Sequence, residues 1–179
     1  MRSRATEILV AILYLFVFTR VAAARPPEDA CTLPGDLQRE ISSRYPGRTL
    51  VGLSDLGDDD RGFFQKGHAD DCPGLVKVDF YGDGKPTFAL VLTTKSVAKG
   101  KNELVLAHQV GEIWKTTTLQ TAAGDSPVVW SEKPGDYQDV YGQKKIHATG
   151  PVIILCRYEA SKILFAWTNG KIAKIWLMD

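Results

Sequence analysis

Three histidines, three cysteines and several closely spaced aspartates are the residues whose chemistry could go beyond packing. His68, His108 and His147 include no pair four residues apart, the spacing with which one helix presents two ligands to zinc. Cys31, Cys72 and Cys156 show no Cys-x-x-Cys spacing, so the common zinc motifs are excluded. A cysteine nucleophile needs a thiolate in electropositive surroundings. Cys156 instead follows the apolar run 152–155, and Cys72 follows Asp70 and Asp71. Ser126, in Gly124-Asp125-Ser126-Pro127, has the look of an exposed turn nucleophile. It lacks the flanking glycines of a nucleophile elbow, and Pro127 removes an N–H that an oxyanion hole would use. Asp58, Asp59, Asp60, Asp70 and Asp71 flank one short helical stretch. Two of them with His68 would equip a small hydrolase of cell-envelope polymer or peptide. The commoner role of such aspartates is to cap a helix in solvent. No catalytic signature emerges.

The run Asp79-Phe80-Tyr81-Gly82-Asp83-Gly84-Lys85 carries the one metal-like spacing. Calcium takes about 6–8 oxygen ligands, with side-chain donors at alternate positions in loops of this kind. Asp79 and Asp83 fill the first and third slots, but Tyr81 stands in the second and Thr87 where a fourth carboxylate often lies. Two carboxylates do not offset dehydration of the ion, so the expectation is a tight Gly-rich hairpin in which both aspartates accept backbone N–H groups. A calcium-stabilised structural module built on Asp79 and Asp83 is the alternative. The run resembles the Asp-x-Asp-Gly-Asp-Gly loops of FG-GAP/VCBS-type repeats. Tyr45-Pro46-Gly47, Leu53-Ser54-Asp55-Leu56, His68 with Cys72-Pro73-Gly74, and Trp167-Thr168-Asn169-Gly170-Lys171 extend the likeness. Together they make the chain similar to a family of uncharacterised exported bacterial proteins with a single degenerate loop. The resemblance covers most of the chain after its first segment and implies export. One copy of the repeat cannot close a propeller.

The elements that must position these residues follow from periodicity. Leu37, Ile41 and Tyr45 share a helical face over 33–45, stopped by Pro46-Gly47. A short strand at 49–53 and a second helix to about Lys66, with Phe63 and Phe64 toward the core, follow. From Val76 the period becomes two. Val76, Val78 and Phe80, then Phe88, Leu90 and Leu92 across the Gly82-Asp83-Gly84 turn, make a hairpin. A second hairpin joins 104–108 to 113–119, a short strand covers 128–130, and strands at 152–158, 162–167 and 172–177 close the chain. Asn169-Gly170 is the strongest hairpin signal, because a type I′ turn needs positive φ at both central residues. Ile163, Phe165 and Trp167 alternate with Leu164 and Ala166, so that strand is expected to be covered on both faces. The fold class is α+β, with two N-terminal helices covering one face of a mainly antiparallel, meandering sheet. Residues 131–150, rich in Lys, Asp, Gly and Tyr, are left as a long irregular loop.

Arg2 and Arg4, the apolar run 8–18 and Ala22-Ala23-Ala24 predict a signal peptide over residues 1–24, with an uncleaved N-terminal anchor as the competing reading, followed by a leader at 25–32 and a single domain at 33–179. The run is too short for the ~30 Å hydrocarbon core. Removing the segment takes away three arginines and one glutamate and shifts the formal charge from +1 to about −1. A nearly neutral chain has no electrostatic reason to seek nucleic acid or an acidic membrane. The expected compartment is secreted or periplasmic, where two cysteines pair. Cys31 and Cys72, both in polar surroundings, are favoured over pairings with Cys156.

These features suggest a non-enzymatic extracytoplasmic binding protein, of inhibitor or immunity type, without a cofactor. The expected contact residues for a protein partner lie in the long loop: Tyr137, Tyr141, Lys144, Lys145 and His147.

Overall fold

Leu37 and Ile41, one helical turn apart, form the buried stripe of α1 (Gly35–Arg44). In the computed structural model the described residues are 30–94 and 100–178. The expected signal peptide and most of the leader lie outside them. After β1 (Thr49–Leu50) and a 3₁₀ turn at Leu53–Asp55, α2 (Asp58–Gly67) opens on three aspartates, which suit the positive end of the helix dipole.

Strands supply the rest. β2 (Leu75–Val78), β3 (Thr87–Thr93), β4 (Lys101–Val110) and β5 (Ile113–Ala123) form an antiparallel sheet with β1, in which β1 and β2 both pair with β3. β6 (Val128–Glu132), β9 (Val152–Arg157), β10 (Ser161–Thr168) and β11 (Lys171–Met178) form a second sheet in the order β11-β10-β9-β6. β7 (Gly135–Gln138) and β8 (Lys145–Ala148) make a separate two-stranded ribbon. The two larger sheets meet where the Val129 N–H donates to the Pro73 carbonyl at 2.7 Å. The coarse expectation of a mixed α+β fold with antiparallel sheet is therefore met.

Alternation explains the layering. Every residue of β3 is buried, because both of its faces are covered. Phe88, Leu90 and Leu92 turn toward Leu37, Ile41 and Trp114, while Ala89 and Val91 turn toward a larger core with Leu104, Leu106, Ile153 and Phe165. Phe64 of α2 joins that larger core and not the α1 cluster, so the two helices serve different cores instead of one shared face. Phe63, expected inside, is 49% exposed and leans on the Tyr158 ring at 5.5 Å. Consecutive residues of a helix diverge by about 100°, which leaves room for one of the pair in the core.

β10 lies between β9 and β11 with Ile163 to Ala166 buried, as its double alternation required. Asn169 and Gly170 have φ of 52° and 71°, the turn expected between β10 and β11. Residues 131–150 are not irregular. They continue β6 into the ribbon and return through β8 to β9, with Ile146 and Ala148 buried in the larger core. Each ribbon strand is only four residues long and mostly polar, below the length at which alternation stands out.

A disulfide joins Cys31 to Cys72 across 41 residues, tying the segment before α1 to the turn entering β2. Closing such a loop contributes about 4 kcal/mol in the chain-entropy model. Cys156 is free and buried, and desolvation pushes its thiol up to about 11. No helix among the described residues is long and apolar enough to cross a membrane.

Candidate functional site: two aspartate turns

The loop between β2 and β3 is built around one carboxylate. Asp79 Oδ1 accepts the N–H groups of Gly82 at 2.9 Å and Asp83 at 3.1 Å, and Oδ2 accepts that of Gly84 at 2.9 Å. Asp83 in turn accepts the Lys85 N–H at 3.1 Å. Gly82 and Gly84 adopt φ of 71° and 77°, which a side chain would resist. Both aspartates thus engage backbone amides, the tight hairpin expected from the Gly-rich run. Among the described residues no group of three or more His, Cys, Asp or Glu side chains is arranged to hold a metal.

This turn is tied inward. His108 on β4 contacts Asp83 through Nε2 at 3.1 Å and Thr87 Oγ1 through Nδ1 at 3.0 Å. Partial desolvation raises the Asp83 carboxyl, but the Lys85 N–H and the neighbouring His108 outweigh it and hold the group below the ordinary carboxylate value. Tyr81 lies against His108 at 4.6 Å and meets Trp167 edge-on at 4.9 Å. Burial, then Asp83, raises its phenol. Phe80 beside it is 1% exposed. The Asp–His–Thr series has the order of a nucleophilic triad, but Thr87 is fully buried and no substrate carbonyl can reach its oxygen. The network holds a turn in position.

A second turn at the ribbon tip has nearly the same sequence. Asp79-Phe80-Tyr81-Gly82 is matched by Asp139-Val140-Tyr141-Gly142, with φ of 70° at Gly142. Asp139 Oδ1 accepts the N–H groups of Gln143 at 2.7 Å and Lys144 at 3.0 Å, while its carbonyl accepts that of Gly142 at 3.0 Å. The tip is also clamped to β11. The Val140 N–H donates to the Trp176 carbonyl at 2.8 Å, and Lys144 Nζ donates to the Lys174 carbonyl at 2.5 Å. Burial, then the nearby Lys144, lowers the Lys174 ammonium. Here the apolar pair turns outward, with Val140 47% and Tyr141 63% exposed.

The five residues expected to form a contact loop therefore divide. Tyr141, Lys145 and His147 are exposed on the ribbon, and His147 Nδ1 pairs with Asp136 at 2.7 Å. Lys144 is exposed but its ammonium is committed to β11. Tyr137 packs on the larger core and donates its hydroxyl to the Lys133 carbonyl at 2.5 Å. Val140 was missed, because a lone valine in a polar stretch gives no periodic signal. The repeated Asp-apolar-Tyr-Gly tetrapeptide was the signal that could have found it.

The other candidates are dispersed. His68 stacks on Phe64 at 5.3 Å, lies 4.8 Å from the Trp130 ring and contacts Asp71 at 3.1 Å. Asp70 and Asp71 line a hollow beside Trp130. Asp58, Asp59, Asp60, Asp125 and Ser126 line a different, open cleft of about 680 Å³, and His68 lines neither. Desolvation, then Asp125, Glu159 and Asp59, raises the Asp60 carboxyl. No family model, curated protein or solved structure matches the chain.

Proposed function

We propose that this chain is a non-enzymatic binding protein working outside the cytoplasm, which grips a protein partner with the tip of its β7–β8 ribbon. The carrying observation is the contrast between the two Asp-apolar-Tyr-Gly turns. One buries its Phe–Tyr pair, whereas the other turns Val140 and Tyr141 to solvent on a tip clamped by six hydrogen bonds, two at the Asp139 side chain, two at its backbone and two to β11. A pre-organised tip loses little conformational entropy on association, and tyrosine is favoured at the centres of protein interfaces. Lys145 and His147 supply a polar rim beside the apolar pair.

The signal-like residues 1–24 and the Cys31–Cys72 bridge support an oxidising compartment, secreted or periplasmic. Under that reading α1 and α2 are the first elements of the mature chain. The near-zero charge gives no reason to invoke nucleic acid or an acidic membrane. The hydrolase alternative has less support, because the cleft lined by Asp58–Asp60 does not include His68, whose ring contacts Asp71 instead. The test is a pull-down of secreted proteins with the mature domain and with a Val140→Ser/Tyr141→Ser variant. The reading expects a partner recovered by the first and lost by the second. Equal recovery of every protein by both would contradict it.

A further inference from the structure

Sheet ends offer unpaired backbone donors and acceptors, and folds that stay monomeric cover or interrupt them. The end of the second sheet at β11 is covered by the ribbon tip, through Val140 and Lys144. Its other end, at β6, meets the Pro73 segment ahead of β2. β5 is different. It pairs with β4 from Ile113 to Ala123, and no strand among the described residues pairs with its other edge. Gln120 reaches across, where its Oε1 accepts Lys174 Nζ at 2.7 Å. The register shift opposite Leu104/Val105 falls at Leu119, so a bulge bounds the open part of the edge. What remains is Ile113-Trp114-Lys115-Thr116-Thr117-Thr118-Leu119, about 24 Å of strand without proline, led by an Ile113 that is 62% exposed.

We propose that this edge pairs with the same edge of a second copy, antiparallel and centred on Thr116, giving a two-fold dimer with a sheet continuous across the interface. The segment is complementary to its own reverse. A centre at Thr116 sets Thr116 against Thr116, Lys115 against Thr117 and Ile113 against Leu119, so threonine, mixed and apolar pairs occur and no like charges meet. Moving the centre to Lys115 opposes two ammonium groups, and moving it to Thr117 leaves Ile113 against Thr121, so the sequence selects one register. Two-fold pairing engages this stretch on both copies at once, so the contact is isologous and closes on itself.

Sedimentation equilibrium on the purified chain tests this. The native chain is expected at twice the mass of one chain. Thr116→Lys and Thr116→Glu, each placing like charges on the axis, are expected at one chain's mass with unchanged circular dichroism. An equimolar mixture of the two should recover the doubled mass. Ile113→Glu, at an exposed position, should weaken association about tenfold or more, and it carries the test should either Thr116 variant misfold. A native chain at single mass throughout the accessible concentration range would overturn the proposal. So would a Thr116→Lys dimer as tight as the native one, or folded Thr116 variants that do not combine.

Discussion

Asp79 and Asp139 head two turns of almost one sequence, and the chain uses them in opposite ways. At each, a carboxylate gathers backbone N–H groups and a glycine at positive φ follows three residues on. The first turn presses Phe80 and Tyr81 into the end of the core against His108 and Trp167. The second is fastened to β11 by its backbone and holds Val140 and Tyr141 in water. The lesson is that a local motif sets the shape of a turn, while its surroundings decide whether that turn stabilises the fold or presents a surface.

The comparison can be broken most severely at the two tyrosines. Tyr81→Ala should cost about 2–4 kcal/mol of stability, since it removes a ring packed on three others, those of Phe80, His108 and Trp167. Tyr141→Ala should stay within about 0.5 kcal/mol, and urea unfolding of both variants decides whether the asymmetry is real. Next come the carboxylates. Asp79→Ala removes three hydrogen bonds to exposed amides and should cost about 1–2 kcal/mol. Asp139→Ala removes two at an exposed tip and should cost about 1 kcal/mol or less, while speeding amide exchange at Gln143 and Lys144.

Acid should distinguish the inward turn more gently. A carboxyl held below its ordinary value stabilises the fold above the usual carboxylate range, and the contribution is lost as pH falls through the depressed value. For Asp83 this means a falling protection factor at the Lys85 amide, exchange being compared with the intrinsic rate at each pH, as the solution is acidified, a step that Asp83→Asn should remove. The smallest expected effect is none. Because the Asp79 oxygens already accept three N–H groups, calcium and chelator should leave the melting midpoint unchanged. A rise with calcium would sharpen the first turn into a metal site.

Much of the fold was legible because its signals are local and long. The Asn169-Gly170 turn, the two-sided alternation of β10 and the period of α1 each repeat a pattern over several residues. The Asp79 turn was legible for the same reason, since its glycines and aspartates are adjacent in sequence. What stayed hidden depends on distant neighbours. Nothing near Phe63 and Phe64 says that only Phe64 goes inside, because that is set by the larger core. His108 shows no partner until β3 and β4 pair and bring it beside Thr87 and Asp83. The ribbon escaped because four-residue strands of mixed polarity carry too few alternations, and its burial comes through Ile146 and Ala148 meeting the larger core.

A photo-crosslinking amino acid at position 141, introduced in the producing cell, addresses the central claim most directly, with the same residue at position 66, exposed on α2, as a control. The account predicts one discrete protein adduct at 141, absent at 66 and lost when Val140 is also changed to Asp. The same adducts from both positions, or none from 141 in a folded and correctly bridged chain, would contradict it.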